Sequence, residues 1–242
     1  MMKRIAHRGF SSEAPENTQA SFALAVEGDF FGIECDVWRA LDGTYVVSHD
    51  GHLKRMCGVD RWIPQMTFPE IASYPVIRGK KRLMHPVQHL ISFHQYLSIL
   101  ARSDTMHPVV ELKMNYSIGE LKEILSLVSE FGLYERTFFI SMYQEVLLRL
   151  KNELLFPQER LQYVYGIPMP DKVTPVGETV ERWLIENRIN LDSRYTLLTP
   201  GSVMRLHKED LQVNVWTVNK KADMKRMKQM GVDMVTTEYY FR

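Results

Sequence analysis

Phe31-Gly32-Ile33-Glu34-Cys35-Asp36-Val37 reads as an extended apolar run with two acids at alternate positions. Alternate side chains of a strand share a face, so Glu34 and Asp36 point to one side and Cys35 to the other, where it packs as a small apolar group. The pattern recurs on both sides. A short strand at 4–7 closes on His7-Arg8-Gly9, and another at 108–112 runs into Glu111-Leu112-Lys113, which sets an acid and a cation on one face. His49-Asp50 follows a further extended segment at 44–48.

Strand-like and helix-like segments alternate from end to end, which is the mark of βα units around a parallel sheet. Strands are expected at 4–7, 31–37, 108–112, 137–141, 161–165, 189–191, 213–218 and 234–237, the sixth with the weakest pattern. Apolar residues spaced at three and four predict helices at 19–26, 87–101, 118–131, 145–155, 178–187, 201–206 and 222–230. Gly28, Gly132 and Gly231 stand where C-terminal glycines would end three of them. Eight strands and seven helices imply an α/β fold of the (β/α)8 TIM-barrel type, with a short or missing last outer helix. Asp42-Gly43 opens a turn and a small extra strand, and residues up to about 84 read as a loop-rich insertion after the second barrel strand. No internal repeat or Pro/Gly/Ser linker divides the chain, so 1–242 reads as one barrel domain.

With 45% hydrophobic and 24% charged residues in 242, the chain has an ordinary globular composition and enough length for a substantial core. The formal charge of +1 gives no composition-level reason to expect nucleic acid or an anionic membrane as partner. Met1-Met2-Lys3-Arg4-Ile5-Ala6 leaves no room for an export segment before His7, and no apolar run approaches the roughly 20 residues that span a bilayer. Two cysteines, Cys35 and Cys57, are too few for a disulfide scaffold, so a reducing cytoplasmic address is expected and stable membrane insertion is not.

A barrel of this kind places its active site at the carboxyl ends of the strands, where all three clusters fall. Glu34, Asp36 and Glu111 offer oxygen ligands without thiolates, which suits one hard divalent cation, Mg²⁺ or Ca²⁺. Arg8 and Lys113 supply fixed positive charge for phosphorus-bound oxygens, which gain charge as the phosphorus is attacked. His7 and His49 can take up and release protons near neutral pH. The inventory suits metal-assisted hydrolysis of a phosphate ester, with either water or a substrate hydroxyl as nucleophile.

Taken in order, the motifs resemble those of the glycerophosphodiester phosphodiesterase family. The resemblance rests on Ala6-His7-Arg8-Gly9, on Pro15-Glu16-Asn17-Thr18 with Ser21-Phe22 and Ala25, on Ile33-Glu34-Cys35-Asp36-Val37, and on Asp42-Gly43 leading to Val46-Val47-Ser48-His49-Asp50. It continues through Leu53, Arg55, Val110-Glu111-Leu112-Lys113, Val215-Trp216-Thr217-Val218-Asn219 and Gly231-Val232-Asp233, with only the order of elements matching from 116 to 212. It implies a metal-dependent enzyme that splits a deacylated phospholipid into sn-glycerol 3-phosphate and an alcohol. Glu34, Asp36 and Glu111 would then hold the metal, His7 and His49 would form the acid–base pair, Arg8 and Lys113 would meet the phosphate, and Trp216 would line the glycerol side. The alternatives are a related phospholipase D-type barrel acting on intact lipids and a catalytically silent barrel that binds phosphodiesters.

Two places depart from the family pattern. Met234-Val235-Thr236-Thr237-Glu238 puts a bulkier residue and a longer acid where the family closes its last strand with a small residue and a Thr-Asp pair. His85-Pro86-Val87-Gln88-His89 replaces an acidic helix start. Arg8 and Trp216 also have ordinary structural readings, as a salt-bridge partner and a core residue. Asn17 has the chemistry of a helix cap, and Glu238 is left open. Lys80-Lys81-Arg82 reads as a solvated basic run.

Overall fold

Eight parallel strands close into a ring in the computed structural model of the chain, which describes residues 2–166 and 175–240. In chain order the elements are β1 (Lys3–Ala6), α1 (Gln19–Glu27), β2 (Gly32–Arg39), β3 (Tyr45–Val47), α2 (Lys54–Cys57), α3 (Phe68–Ser73), α4 (Phe93–Leu100), β4 (His107–Leu112) and α5 (Ile118–Glu130). The second half adds β5 (Phe138–Ser141), α6 (Gln144–Leu148), β6 (Leu161–Tyr165), α7 (Glu178–Asn187), β7 (Asn190–Arg194), α8 (Pro200–Lys208), β8 (Val213–Trp216), α9 (Lys221–Gln229) and β9 (Met234–Thr237). Pairing of β1 with both β2 and β9 shuts the ring, while β3 hangs antiparallel on β2 with Val37 opposite Val47. The architecture is the (β/α)8 barrel that the order of segments predicts.

Period-two patterning sorts the side chains into two cores. Ile33, Cys35, Val37, Val110 and Leu112 face outward into the large apolar layer under the helices. Ile5, Val109, Phe138, Ile140, Val164 and Met234 face inward and fill the barrel. Asp36 lies opposite Glu111 in the β2–β4 register, one step nearer the carboxyl pole than the pairing of Glu34 with Val109 on the same inner face. The barrel core thus ends in a layer of acids.

Capping explains where several helices begin. Thr18 Oγ1 accepts from Ser21 N at α1, and Ser117 Oγ from Glu120 N at α5. The helix expected at 87–101 starts only at Phe93, because Ser92 and Gln95 form a reciprocal cap and the residues before it bond to the insertion through Val76 N and Gln88 O. The helix expected at 145–155 becomes α6 followed by a π-helical turn, Arg149–Glu153. Gly132 and Gly231 adopt left-handed backbone after α5 and α9 as the spacing predicts, with φ of 67° and 81°. Gly28 does not: it ends α1 with extended backbone at φ −84°. No helix follows β9 among the described residues.

The insertion has short helices and a small core of its own. Leu53, Met56, Ile63, Met66, Ile71, Val76 and Leu90 pack together apart from the barrel layers. Its structure reaches past 84, since His89 bridges to Pro75 and Ser92 to Val46.

Candidate active site

The turn after β1 is built around glycine. Arg8 and Gly9 both have left-handed backbone, with φ of 57° and 81°, and a Cβ on Gly9 would stand 2.6 Å from Ser21 Oγ. Ser21 Oγ donates to the Arg8 carbonyl at 3.1 Å, so α1 holds the turn in place. The Arg8 main-chain N–H then donates to Glu34 Oε2 at 2.9 Å, and its guanidinium reaches Glu16 Oε1 at 2.9 Å and Asp36 Oδ2 at 3.5 Å.

Glu34, Asp36 and Glu111 are buried, and each presents a carboxylate oxygen within 4.8 Å of the others. Lys113 Nζ lies 2.9 Å from Glu111 Oε1 and 3.4 Å from Asp36 Oδ1. Burial, and the nearby Asp36 charge, push the Glu34 carboxyl well above the usual carboxylate range and raise Glu111 as well. Burial also opposes the charge on Asp36, but Lys113 and Arg8 outweigh it and hold that carboxyl well below the usual range. Asp36 Oδ1 is buried without a hydrogen bond among the described residues. An oxygen-only set of crowded acids with such an atom fits a hard divalent ion, and these three residues could hold one.

The two histidines approach from opposite arms. His7, just past the end of β1, is mostly buried, which with Arg8 pulls its imidazole below the ordinary value despite Glu238 at 3.9 Å. His49 Nδ1 lies 2.7 Å from Asp50 Oδ1. A carboxylate accepts only, so Nδ1 carries a proton and Nε2 is presented away from Asp50. Arg55 ties the arms together: its Nε donates to Asp50 Oδ2 at 2.5 Å and its Nη2 to Glu16 Oε1 at 2.8 Å, the oxygen that also accepts from Arg8.

His7, Arg8, Glu34, His49, Glu111 and Lys113 line one side of a cavity of about 240 Å³ at the carboxyl pole. Ile140, Met142, Val164 and Trp216 make an apolar wall on the other side, with Asp192 and Thr236 as its polar members. The candidates singled out from the sequence therefore meet at this pole, Asp36 among them through its carboxylate beside those of Glu34 and Glu111. Trp216 is half-buried, and its indole N–H donates to the Asp192 carbonyl at 3.3 Å.

Three residues have roles that sequence reasoning misplaced or passed over. Asn17 is no helix cap: Thr18 takes that position, and Asn17, with φ of 54°, donates from Nδ2 to Asp36 Oδ2 at 2.9 Å. Asp192 is buried with Oδ1 unbonded among the described residues, and burial with the Glu111 charge pushes its carboxyl well up. Polar residues at alternate positions, Asn190 and Asp192, were the available signal. Glu238 pairs with Lys80 of the insertion at 2.8 Å, and with His7 beside it the carboxyl falls to about 2.

The chain is similar to several known proteins. A glycerophosphodiester phosphodiesterase of Caldanaerobacter subterraneus subsp. tengcongensis is 27% identical, over 97% of this chain and 93% of its own. A lysophospholipase D of Mus musculus is 23% identical over 99% of this chain and 84% of its own. The structure of an Oleispira antarctica phosphodiesterase in complex with the product sn-glycerol-3-phosphate superposes with a TM-score of 0.79, at 22% identity, over 98% of this chain and 93% of that one. The sequence profile of the glycerophosphoryl diester phosphodiesterase family matches residues 7–240, so the chain belongs to that family.

Proposed function

We propose that this protein cleaves glycerophosphodiesters to sn-glycerol 3-phosphate and an alcohol, using a divalent cation, Mg²⁺ or Ca²⁺, held by Glu34, Asp36 and Glu111. The observation that carries the reading is the meeting of three buried carboxylates, two histidines and two cations on one wall of a cavity whose other wall is apolar. A bound cation supplies positive charge for the phosphate oxygens. Arg8 and Lys113 add theirs from either side of Asp36, in a buried site where fixed charge acts strongly. Trp216 gives the carbon face of the glycerol a flat apolar surface.

Burial favours the neutral form of His7, so it begins as the proton acceptor. It takes the proton of the glycerol 2-hydroxyl as that oxygen bonds to phosphorus. The bond from phosphorus to the departing alcohol breaks, and His49, entering this step as the imidazolium with Nδ1–H held by Asp50, gives its Nε2 proton to the alcohol oxygen. Water then opens the cyclic phosphate with the proton roles reversed. The cavity, small among ligand sites, suits a substrate of glycerophosphate size. The buried free thiols Cys35 and Cys57 accord with a cytoplasmic address, and no helix among the described residues is long and apolar enough to cross a membrane.

The test is turnover of glycerophosphocholine, glycerophosphoethanolamine, glycerophosphoglycerol and glycerophosphoinositol, with chelator and after adding back Mg²⁺ or Ca²⁺. Activity should vanish in chelator and return with an ion. His7→Ala and His49→Ala should each lose about 10²- to 10⁴-fold in kcat with unchanged circular dichroism. Full turnover in excess chelator would remove the metal from the reading.

A further inference from the structure

Large apolar side chains reach solvent singly over most of this surface, as Ile118, Leu155 and Met204 do, and such scatter is ordinary. The stretch 77–87 differs. Leu83, Met84 and Val87 are 85%, 74% and 70% exposed within five residues, and Ile77 is 44% exposed at the start of the same stretch. Between them stand Arg78, Lys80, Lys81 and Arg82, with no acid anywhere in the stretch.

This segment is pinned to the mouth of the cavity. Gly79 adopts φ +120° and packs so closely on the loop after β1 that a Cβ would lie 2.7 Å from Pro15 Cα. His85 Nε2 is 2.7 Å from the Glu13 carbonyl, and Lys81 pairs with the Glu13 carboxylate. Lys80 Nζ donates to Glu238 Oε2 at 2.8 Å and to Tyr239 Oη at 2.9 Å, beyond the end of β9. The segment therefore lies across the two connections that flank His7. Lys80 and Lys81 have acidic partners; Arg78 and Arg82 have none among the described residues.

We propose that residues 77–87 are a peripheral docking site for an anionic membrane surface, which they hold beside the mouth of the cavity. Unpaired guanidinium groups next to exposed aliphatic side chains match negative head groups over a hydrocarbon layer. Two copies of a segment with four basic residues and no acid repel each other, which disfavours self-association through it. The stretch has no Phe, Tyr or Trp on which a nucleic acid base could stack, and its one imidazole, His85, is tied to the Glu13 carbonyl. With a formal charge of only +1 on the whole chain, the attraction is local, and the attachment is reversible.

The experiment is cosedimentation of the full chain with vesicles of phosphatidylcholine alone and of equal parts phosphatidylcholine and phosphatidylserine. It is run at about 0.1 M and about 1 M salt, where the screening length falls from about 10 to about 3 Å. Pelleting is expected with the mixed vesicles at low salt only. The double variant R78Q/R82Q and the triple variant L83S/M84S/V87S should each weaken the partition about tenfold or more. Both should melt at the wild-type temperature, because none of these side chains belongs to a core. Failure of the wild type to pellet, equal pelleting with neutral vesicles, or unchanged binding by both variants would overturn the proposal. So would a dimer in sedimentation velocity that the triple variant dissolves while the wild type ignores vesicles. None of these outcomes depends on turnover, so they are separate from the fate of the catalytic reading.

Discussion

Glu34, Asp36 and Glu111 repel one another, and the fold holds them together with Arg8 and Lys113 at their edges. A carboxyl raised in the folded state, as Glu34 is, contributes stability at low pH that is lost as pH climbs from its unfolded value of about 4.5 towards the folded one. In chelator at neutral pH, Glu34→Gln should therefore melt above the wild type by scanning calorimetry, with the gap closing as pH falls towards 4.5. Added Mg²⁺ or Ca²⁺ should stabilise the wild type, by about 2.7 kcal/mol at a hundredfold excess over Kd, and leave the variant nearly unmoved. A variant that melts lower than wild type in chelator would contradict the repulsion. Glu34, Asp36 and Glu111 were legible in the sequence because each stands at or near the end of an apolar run and shares its face with a chemical partner, and His7 because it closes such a run next to Arg8. Asn17 was misread because Pro15-Glu16-Asn17-Thr18 carries two residues able to cap, and only the backbone shows that Thr18 does so. Asp192 escaped because an unpaired buried acid has no local sequence companion that would announce it.

Among the elements, those with clean periodicity were read closely: β6, β9 and α7 have the limits that the pattern predicts. β7 was the weakest strand in the sequence because its inward positions are polar. Asn190 donates to the Leu161 carbonyl at 3.2 Å, and Asp192 is aimed at the cavity, so the apolar alternation that marks a strand is missing. The helix expected at 87–101 came out too long because apolar spacing continues through residues that belong to the insertion, and the reciprocal cap of Ser92 and Gln95 overrides it. The turn after β1 is the element on which the site depends most directly. Gly9→Ala combines a left-handed backbone with a side chain forced against Ser21. It should cost about 2–4 kcal/mol in denaturant unfolding. Because the same turn aims the Arg8 N–H at Glu34, kcat should fall even where the variant is fully folded.

At the scale of the molecule, the alternation of segments was enough to give a closed barrel, since eight parallel strands with helices between them have few other compact solutions. The ring shuts only when β9 pairs with β1, from Lys3 opposite Met234 to Ala6 opposite Thr237, and His7 N donates to the Thr237 carbonyl at 2.9 Å. A chain stopped after residue 230 should therefore fail to fold, leaving β1 and β8 as open edges, and circular dichroism with size-exclusion chromatography should show loss of native structure or aggregation. The insertion was less legible than the barrel because its helices are too short to carry periodicity; what organises it is a nucleus assembled from scattered residues. That separate nucleus has an evolutionary consequence. Away from Arg55 and Lys80, which bind Asp50 and Glu238 beside the two histidines, an appendage that satisfies its own apolar side chains can drift or lengthen while the catalytic scaffold stays as it is. Descendants of such a protein can acquire new preferences by remodelling the porch and leaving the house standing.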